Sequence, residues 1–231
     1  GWFGRSYFAK VYRVGGRTYP TMSSPLVVLG GMFDPVHKGH VSAANYALEF
    51  LSAHRLKMIP CHRPNHKAIP DTRAEHRLAM LEIATAGHPQ IEIDTIELQV
   101  DRVSYTVDTL TQYRKQHETI VFVLGVDSFN SLPQWHEWQQ IFELCHLLVL
   151  ARPGAILSDA TLAAVQGGER KVETAEQMLS SSQGRFIYCE NFEFDMASSQ
   201  IRKKLARGED VTAELDPAVI EYIDENNLYQ D

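Results

Sequence analysis

The chain has 231 residues, 44% of them hydrophobic and 22% charged, which fits one globular domain with a sizeable core and excludes a disordered chain. Its formal net charge is −7, and no apolar run approaches the roughly 18 residues that would span a bilayer. We therefore expect neither a long nucleic acid nor a membrane as a partner, whereas small phosphorylated ligands need only a local positive pocket. The three cysteines follow no disulfide or metal-binding spacing, which favours a reducing compartment.

Residues 1–24 differ from the rest of the chain. They contain four basic residues and no acidic one, show no clear hydrophobic period, and include Met22 just before the first strand pattern. We interpret them as an N-terminal extension, either an expression or read-through remnant or a targeting segment. A secretory signal is disfavoured because the continuous apolar centre is missing. The remaining residues, 25–231, are predicted to form a single domain.

Strand and helix patterns alternate along this domain. Short apolar or alternating stretches predict strands at 25–31, 55–59, 91–98, 119–125, 147–151 and 185–188. Helical spacing, with glycine stops and proline starts, predicts helices at 39–53, 72–86, 105–117, 133–144, somewhere within 159–182, 198–206 and 217–226. The alternation predicts an α/β fold, a Rossmann-like doubly wound, mostly parallel sheet with helices on both faces and C-terminal helices. In such sheets ligands bind at the carboxyl ends of the strands, where the strand order reverses.

The first strand runs into the sequence GGMFDPVHKGH at residues 30–40. Its glycines let a ligand approach the backbone, and His37 and His40 stand at the start of the next helix, where free N–H groups favour anions. This combination is typical of a phosphate site. Capping or surface histidines are the ordinary alternative, and a zinc site would lack a nearby third ligand. Because GxGxxG is absent, an NAD-dependent oxidoreductase is disfavoured.

The same segment resembles the GGTFDPVHxGH motif of the HxGH nucleotidyltransferase superfamily and, within it, of the nicotinate-nucleotide adenylyltransferases. Further segments resemble that family in order and at compatible spacing, from about residue 26 to residue 229. They are PNHK at 64–67, SYT at 104–106, LGVDS at 124–128, LPQWHEW at 132–138, ARPG at 151–154 and MASSQIR at 196–202. Each is a weak or moderate signal alone, and together they are a strong one.

The resemblance implies transfer of the adenylyl group of ATP to nicotinate mononucleotide, giving deamido-NAD and pyrophosphate in NAD biosynthesis. The attacking phosphate is largely ionised near pH 7, so positioning and electrostatics replace a general base. By their place in the motifs, His37, His40 and Arg202 are the catalytic candidates. Asp127 would bind ribose hydroxyls, or it would be an ordinary helix N-cap. The ATP-binding candidates are Gly30, Gly31, Met32, Phe33, Gly125, Asp127, Arg152, Ser198 and Ser199.

A second group is implied to bind the pyridine nucleotide. Tyr105 and Trp135 would enclose the pyridine ring by stacking, and Thr106 together with backbone N–H groups near Trp135 and His136 would hold its carboxylate. Core positions are the ordinary alternative for both aromatic residues. His66 and Lys67 would cover the triphosphate or form a solvated loop. The candidates for nicotinate mononucleotide are Ser104, Tyr105, Thr106, Trp135 and His136.

Several residues depart from the family motif. Met32 replaces a threonine, and Ala197 and Ser199 replace a serine and a threonine. Ser198 is therefore expected to cap the helix at 198–206. His136 stands where another aromatic residue is common, so its backbone is expected to matter more than its ring. Both motif histidines and the arginine are retained, so we expect activity.

The resemblance also implies Mg²⁺, bound with ATP and not held by a dedicated set of protein ligands. It implies a cytoplasmic location, and a homo-oligomer is compatible with it. Three alternatives stay open: a sister transferase acting on nicotinamide mononucleotide or phosphopantetheine, a non-catalytic nucleotide-binding protein of the same fold, and the disfavoured oxidoreductase. The SYT and LPQWHEW segments favour a pyridine nucleotide among the acceptors.

Overall fold

The computed structural model describes residues 11–14, 17–20, 24–61, 72–99 and 103–230. Near the N-terminus, strands β1 (Val11–Val14) and β2 (Arg17–Pro20) pair antiparallel as a small separate sheet. The sequence shows no clear period there, so these two strands were not predicted. The division of the chain at residues 24 and 25 stays a prediction.

The main element is a six-stranded sheet in which every strand pair is parallel. Its strands are β3 (Leu26–Gly31), β4 (Leu56–Pro60), β5 (Ile91–Ile93), β6 (Ile120–Gly125), β7 (His146–Leu150) and β8 (Phe186–Cys189). They lie in the order β5-β4-β3-β6-β7-β8. The predicted α/β class with a mostly parallel sheet is confirmed.

Helices connect and flank these strands. They are α1 (Lys38–Phe50), α2 (Ala74–Thr85), α3 (Thr106–Arg114), α4 (Val126–Asn130), α5 (Trp138–Leu144), α6 (Asp159–Ala164), α7 (Gly167–Arg170), α8 (Ala175–Leu179), α9 (Ser198–Ala206) and α10 (Pro217–Glu225), with a 3₁₀ turn at Leu132–Gln134. The longest of them, α1, has 13 residues. In the described part of the chain, no helix combines the length and apolarity needed to cross a membrane.

The chain builds the sheet outward from its middle in two directions. It runs from β3 to β4 and β5 on one side, returns to β6 beside β3, and continues to β7 and β8. The strand order therefore reverses between β3 and β6, where Val27 and Val121 are direct partners. The carboxyl ends at this point are Gly31 and Gly125, so the loops after them border one crevice.

Both faces of the sheet are covered, as the sequence predicts. Val27 and Leu29 of β3 belong to one hydrophobic cluster, together with residues of α1, α2, α9 and α10. The intervening residues Leu26 and Val28 belong to the other cluster, with residues of α3, α4 and α5. The alternation of side chains along a strand thus explains why each face of β3 is apolar and needs its own layer of helices.

Near the cavity, the predicted bounds of one strand and one helix are wrong. β5 ends at Ile93 and not at residue 98, because the Asp94 carboxylate accepts a hydrogen bond from the Ile96 N–H and turns the chain. The helix predicted at 133–144 is the 3₁₀ turn followed by α5. Glu137, between these two elements, has left-handed backbone angles (φ 48°), which a continuous helix does not permit.

The long helix expected within 159–182 is also wrong, since three short helices occupy that range. Gln166 has a φ of 56° and separates α6 from α7. Thr174 and Gln177 then form a reciprocal capping box that starts α8. The short helix α4 was not predicted. The other predicted elements agree with the structure to within a few residues at each end.

Candidate active site

A cavity of about 660 Å³ lies at the point where the strand order reverses. All predicted site residues in the described part of the chain line it. These are Gly30, Gly31, Met32, Phe33, His37, His40, Ser104, Tyr105, Thr106, Gly125, Asp127, Trp135, His136, Arg152, Ser198, Ser199 and Arg202. His66 and Lys67 lie outside the described residues. The fold thus brings distant segments together, while their individual roles stay predictions.

The two histidines of the first loop form a stacked pair. His37 is the N-cap residue of α1, and its ring lies 3.7 Å from that of His40, between centroids, at an angle of 23°. The backbone N–H of His37 donates to His40 Nδ1 at 3.1 Å. Since that nitrogen accepts, the proton of a neutral His40 ring is on Nε2. Gly39 is required beside the pair, because a Cβ there would lie 2.9 Å from the His37 ring.

Burial governs the chemistry of His37, whose surface is only 6% exposed. Desolvation lowers its pKa to about 4, so the imidazole is neutral at pH 7. Its Nδ1 is buried and has no hydrogen-bond partner among the described residues. A buried polar atom without a partner is unfavourable. Because this nitrogen has almost no exposed surface, a ligand in the cavity reaches it only if the loop around it moves.

The same burial predicts a pH dependence of folding stability. The unfolded chain protonates His37 near the ordinary pKa of 6.5, whereas the folded chain does so only near 4. The free energy of unfolding should therefore decrease as the pH falls, by about 2 kcal/mol from this residue between pH 7 and 5. Urea unfolding at both pH values should show this decrease in the wild type and its loss in His37→Gln. His54→Gln, which replaces an exposed histidine, is the control and should behave like the wild type. If the free energy of unfolding of His37→Gln fell between pH 7 and 5 as much as that of the wild type, the prediction would be wrong.

Helix α9 brings a second set of donors to the histidine pair. Ala197 is its N-cap residue, so the expectation that Ser198 caps the helix is wrong. Instead, Ser198 Oγ donates to the Pro35 carbonyl at 2.9 Å, and Arg202 Nη1 donates to the Asp34 carbonyl at 2.9 Å. The first turn of α9 is thereby docked against the loop before α1. A helix N-terminus, a guanidinium and two imidazoles on one cavity favour an anion.

Two of the predicted nucleotide-binding residues are paired with each other. Arg152 donates to both carboxylate oxygens of Asp127, at 2.7 and 3.2 Å, and Asp195 lies 3.8 Å from the same guanidinium. Gly125 is the N-cap residue of α4, so the alternative of Asp127 as N-cap is wrong. Both paired side chains are about half exposed. Such a pair separates at small cost, which lets either side chain turn to a nucleotide.

Two pairs of rings form the aromatic wall of the cavity. Tyr105 packs against the His136 ring, with centroids 4.2 Å apart and planes at 34°. Trp135 lies edge-on to Phe122, 6.3 Å between centroids, and its indole N–H donates to Ser131 Oγ at 3.1 Å. The ring of His136 therefore takes part in the wall, although its backbone was expected to matter more than its ring.

The N-terminus of α3 adjoins this wall. Thr106 is the first residue of α3 and Tyr105 its N-cap residue, without a side-chain cap. Ser104 Oγ is buried and has no hydrogen-bond partner among the described residues. Free helix N–H groups at a cavity wall suit a negatively charged substituent on a flat ring.

Glu97 also lines the cavity and was missed. It is only 8% exposed, and its carboxylate accepts a hydrogen bond from Thr109 Oγ1 at 2.7 Å. Burial raises its pKa. A signal was present, because in the alternation that begins with Ile91 and Ile93 residue 97 falls on the buried side, where a carboxylate is unusual. No motif marked Phe192 and Phe194, which also line the cavity, and Met196 belongs to the motif at 196–202 but was not named as a site residue.

Comparison with known proteins agrees with this geometry. The cytidylyltransferase-like family model matches residues 28–204. A protein of Pseudoalteromonas atlantica, named "Probable nicotinate-nucleotide adenylyltransferase", is 37% identical over 209 residues, 89% of this chain and 94% of that one. One of the same name from Aeromonas salmonicida is 35% identical over 211 residues, 90% of this chain and 99% of that one.

A solved structure shows the same fold. The Plasmodium falciparum nicotinic acid mononucleotide adenylyltransferase complexed with NaAD aligns with a TM-score of 0.68 at 20% identity, covering 90% of this chain and 98% of that one. The Rossmann-like architecture inferred from strand order is therefore shared with a solved adenylyltransferase. With the family match and the relatives above, the chain belongs to the cytidylyltransferase-like family and, within it, to the nicotinate-nucleotide adenylyltransferases.

Proposed function

We propose that this protein transfers the adenylyl group of ATP to nicotinate mononucleotide, giving deamido-NAD and pyrophosphate. The observation that carries the proposal is the stacked pair of His37 and His40 beside the first turn of α9. This anion-binding region shares one cavity with the aromatic wall at the N-terminus of α3. The names of the relatives support the same reaction and acceptor.

In the proposed reaction, a phosphate oxygen of the mononucleotide attacks the α-phosphorus of ATP. A new P–O bond forms while the bond to the β-phosphate breaks, and its electron pair leaves with pyrophosphate. The attacking phosphate is mostly deprotonated at pH 7, so no side chain has to remove a proton. His40 through Nε2–H, neutral His37, and Arg202 would oppose the negative charge that builds up on the phosphate oxygens.

The acceptor site would distinguish the acid from the amide of the pyridine ring. Tyr105 and His136 offer a flat aromatic surface for the ring. The Thr106 hydroxyl and the free N–H groups at the start of α3 are donors that a carboxylate satisfies better than an amide does. A nicotinamide or phosphopantetheine acceptor would leave part of this charge complementarity unused.

We propose that ATP enters as its Mg²⁺ complex. Among the described residues, no group of three or more His, Cys, Asp or Glu side chains could hold a metal ion. Phosphate oxygens and water would therefore supply most of the ligands, and the ion would neutralise charge on the leaving pyrophosphate. The cytoplasmic location and self-association stay predictions.

The test is pyrophosphate release from ATP and Mg²⁺ with nicotinate mononucleotide or nicotinamide mononucleotide as the acceptor. We expect kcat/KM to favour the nicotinate form by at least about 10-fold, since a charge-assisted hydrogen bond contributes roughly 1.5–3 kcal/mol. Thr106→Val should reduce that preference severalfold. Thr111→Val, on the same helix with its hydroxyl bonded to the Val107 carbonyl, is the matched control and should leave the preference unchanged.

Each outcome of this test has a definite meaning. Release without an acid preference would retain the transferase and overturn the assignment of α3 as the carboxylate site. Absence of release with both acceptors, while calorimetry still shows ATP binding, would favour another acceptor such as phosphopantetheine or a non-catalytic nucleotide-binding protein. Assays with phosphopantetheine as the third acceptor separate these two cases.

A further inference from the structure

The loop at residues 32–37, here called the phosphate loop, connects β3 to α1 and carries His37. Its Asp34 side chain is buried, with 3% of the residue exposed. The Tyr229 hydroxyl, 195 residues later in the chain, donates to Asp34 Oδ1 at 2.5 Å. None of the motifs that identify the family includes Tyr229, and the mechanism above does not use it.

The phosphate loop is held through its carbonyl groups as well. The Met32 carbonyl accepts from Arg77 Nη1 at 2.6 Å, and the Asp34 carbonyl accepts from Arg202. Arg77 is 1% exposed and also donates through Nε to the Thr72 carbonyl at 3.2 Å. The loop lies between a strand and a helix and belongs to neither of them. Side chains of α2, α9 and the segment after α10 therefore hold it in position.

The backbone around Tyr229 indicates that its contact is specific. Tyr229 has a φ of 60°, and Asn227 just before it has a φ of 49°. Left-handed angles are unfavourable for residues with a side chain and persist where surrounding contacts require them. Here they accompany a turn, beyond the end of α10, that brings the phenol to Asp34. Burial raises the pKa of Tyr229, so its hydroxyl remains a donor at neutral pH.

The electrostatics of Asp34 explain why its orientation matters. Its carboxylate lies close to a site that is to receive polyanions, where a mobile negative charge would oppose binding. Arg77 attracts this carboxylate, and Tyr229 donates to one of its oxygens. The charge of Arg77 offsets part of the negative charge of Asp34, and the hydrogen bond from Tyr229 holds the side chain in its orientation.

We propose that Tyr229 is a positioning residue for ATP: its hydrogen bond to Asp34 holds the phosphate loop, and with it His37, in the geometry that binds the triphosphate. The inference rests on the proposed function of this cavity. It predicts that loss of the Tyr229 hydroxyl raises the KM for ATP more than the KM for the acceptor, because the loop lies on the histidine side of the cavity.

The test compares Tyr229→Phe with Tyr222→Phe. The matched control also loses one phenol hydrogen bond, between the Tyr222 hydroxyl and His76 Nδ1 at 2.9 Å, and it lies on α10 close to the same segment. We expect Tyr229→Phe to raise the KM for ATP about 10-fold, as for loss of a hydrogen bond to a charged group, with the KM for the acceptor within twofold of wild type. Tyr222→Phe should match wild type in both constants.

A double-mutant cycle with Asp34→Asn separates positioning from a general loss of stability. The asparagine keeps an acceptor oxygen but not the charge, so the effect of Tyr229→Phe on the KM for ATP should shrink in that background. Additive effects would overturn the proposal. So would equal losses in Tyr229→Phe and Tyr222→Phe, or a KM for ATP within twofold of wild type in Tyr229→Phe.

Calorimetric ATP binding distinguishes a failure of this inference from a failure of the proposed function. If the wild type binds ATP but transfers nothing to either pyridine acceptor, the proposed reaction is wrong. Weaker ATP binding in Tyr229→Phe but not in Tyr222→Phe would still support the positioning role, and equal binding in all three proteins would overturn it.

Discussion

His40→Ala is expected to lower kcat for adenylyl transfer by about 10²- to 10³-fold, the usual effect of removing one preorganised donor to a developing charge. Its Nε2–H is the donor that we place on the phosphates. The substitution also removes the acceptor of the His37 N–H and the stacked ring beside His37. Pyrophosphate release at saturating ATP and nicotinate mononucleotide measures the effect.

His54→Ala is the control for this experiment, since it removes an exposed imidazole that does not line the cavity. It should leave kcat unchanged. A kcat for His40→Ala within fivefold of wild type would exclude His40 from stabilising the transition state. In that case, weaker ATP binding by His40→Ala than by the wild type, measured by calorimetry, would show that His40 acts on bound ATP in the ground state only.

Arg202→Ala is expected to lower kcat/KM for ATP by at least about 10²-fold, because it removes both a charged donor and a support of the phosphate loop. The guanidinium donates to the Asp34 carbonyl and lines the cavity. Arg202→Lys should recover part of the loss, since it restores the charge but not the planar set of donors. Steady-state kinetics with varied ATP give kcat/KM for the wild type, Arg202→Ala and Arg202→Lys.

Arg207→Ala provides the matched control for Arg202. Arg207 is the C-cap residue of the same helix, is exposed, and pairs with Glu209 at 3.6 Å. Its replacement should leave kcat/KM for ATP within twofold of wild type. If both alanine variants lost activity equally, the net charge of α9 would explain the result, and the specific role of Arg202 would be rejected.

The apolar strands show which parts of the fold were predictable. A short buried run such as that of β6 has few alternatives, because it is too short for a helix and too apolar for a loop. Likewise, helical spacing predicted a helix at 198–206, which is the range of α9. The range 91–98 was wrong because its alternation continues after Ile93, while a single hydrogen bond to the Asp94 carboxylate turns the chain.

The candidate site was predictable as a set of segments but not as a set of contacts. Residues after β3 and β6 meet because the carboxyl ends of parallel strands share one edge of the sheet. The pairing of Asp127 with Arg152, and of Tyr105 with His136, depends on side-chain positions between distant elements. A single sequence carries no periodic signal for such pairs. Tyr229 is the clearest case, since nothing near it in the sequence points to Asp34.

The supports of the phosphate loop also set the order in which the protein can become functional during synthesis. The loop follows β3, near the start of the domain, and therefore leaves the ribosome early. Its partners Ser198, Arg202 and Tyr229 follow their contacts in the loop by 163, 168 and 195 residues, and the Glu214 carbonyl that accepts from the Lys38 N–H at 2.8 Å also comes much later in the chain. Domains generally fold as units during translation. A nascent chain that has already emerged with both histidines still lacks these supports, so we expect the nucleotide site to form only after the segment that carries Tyr229 has emerged as well.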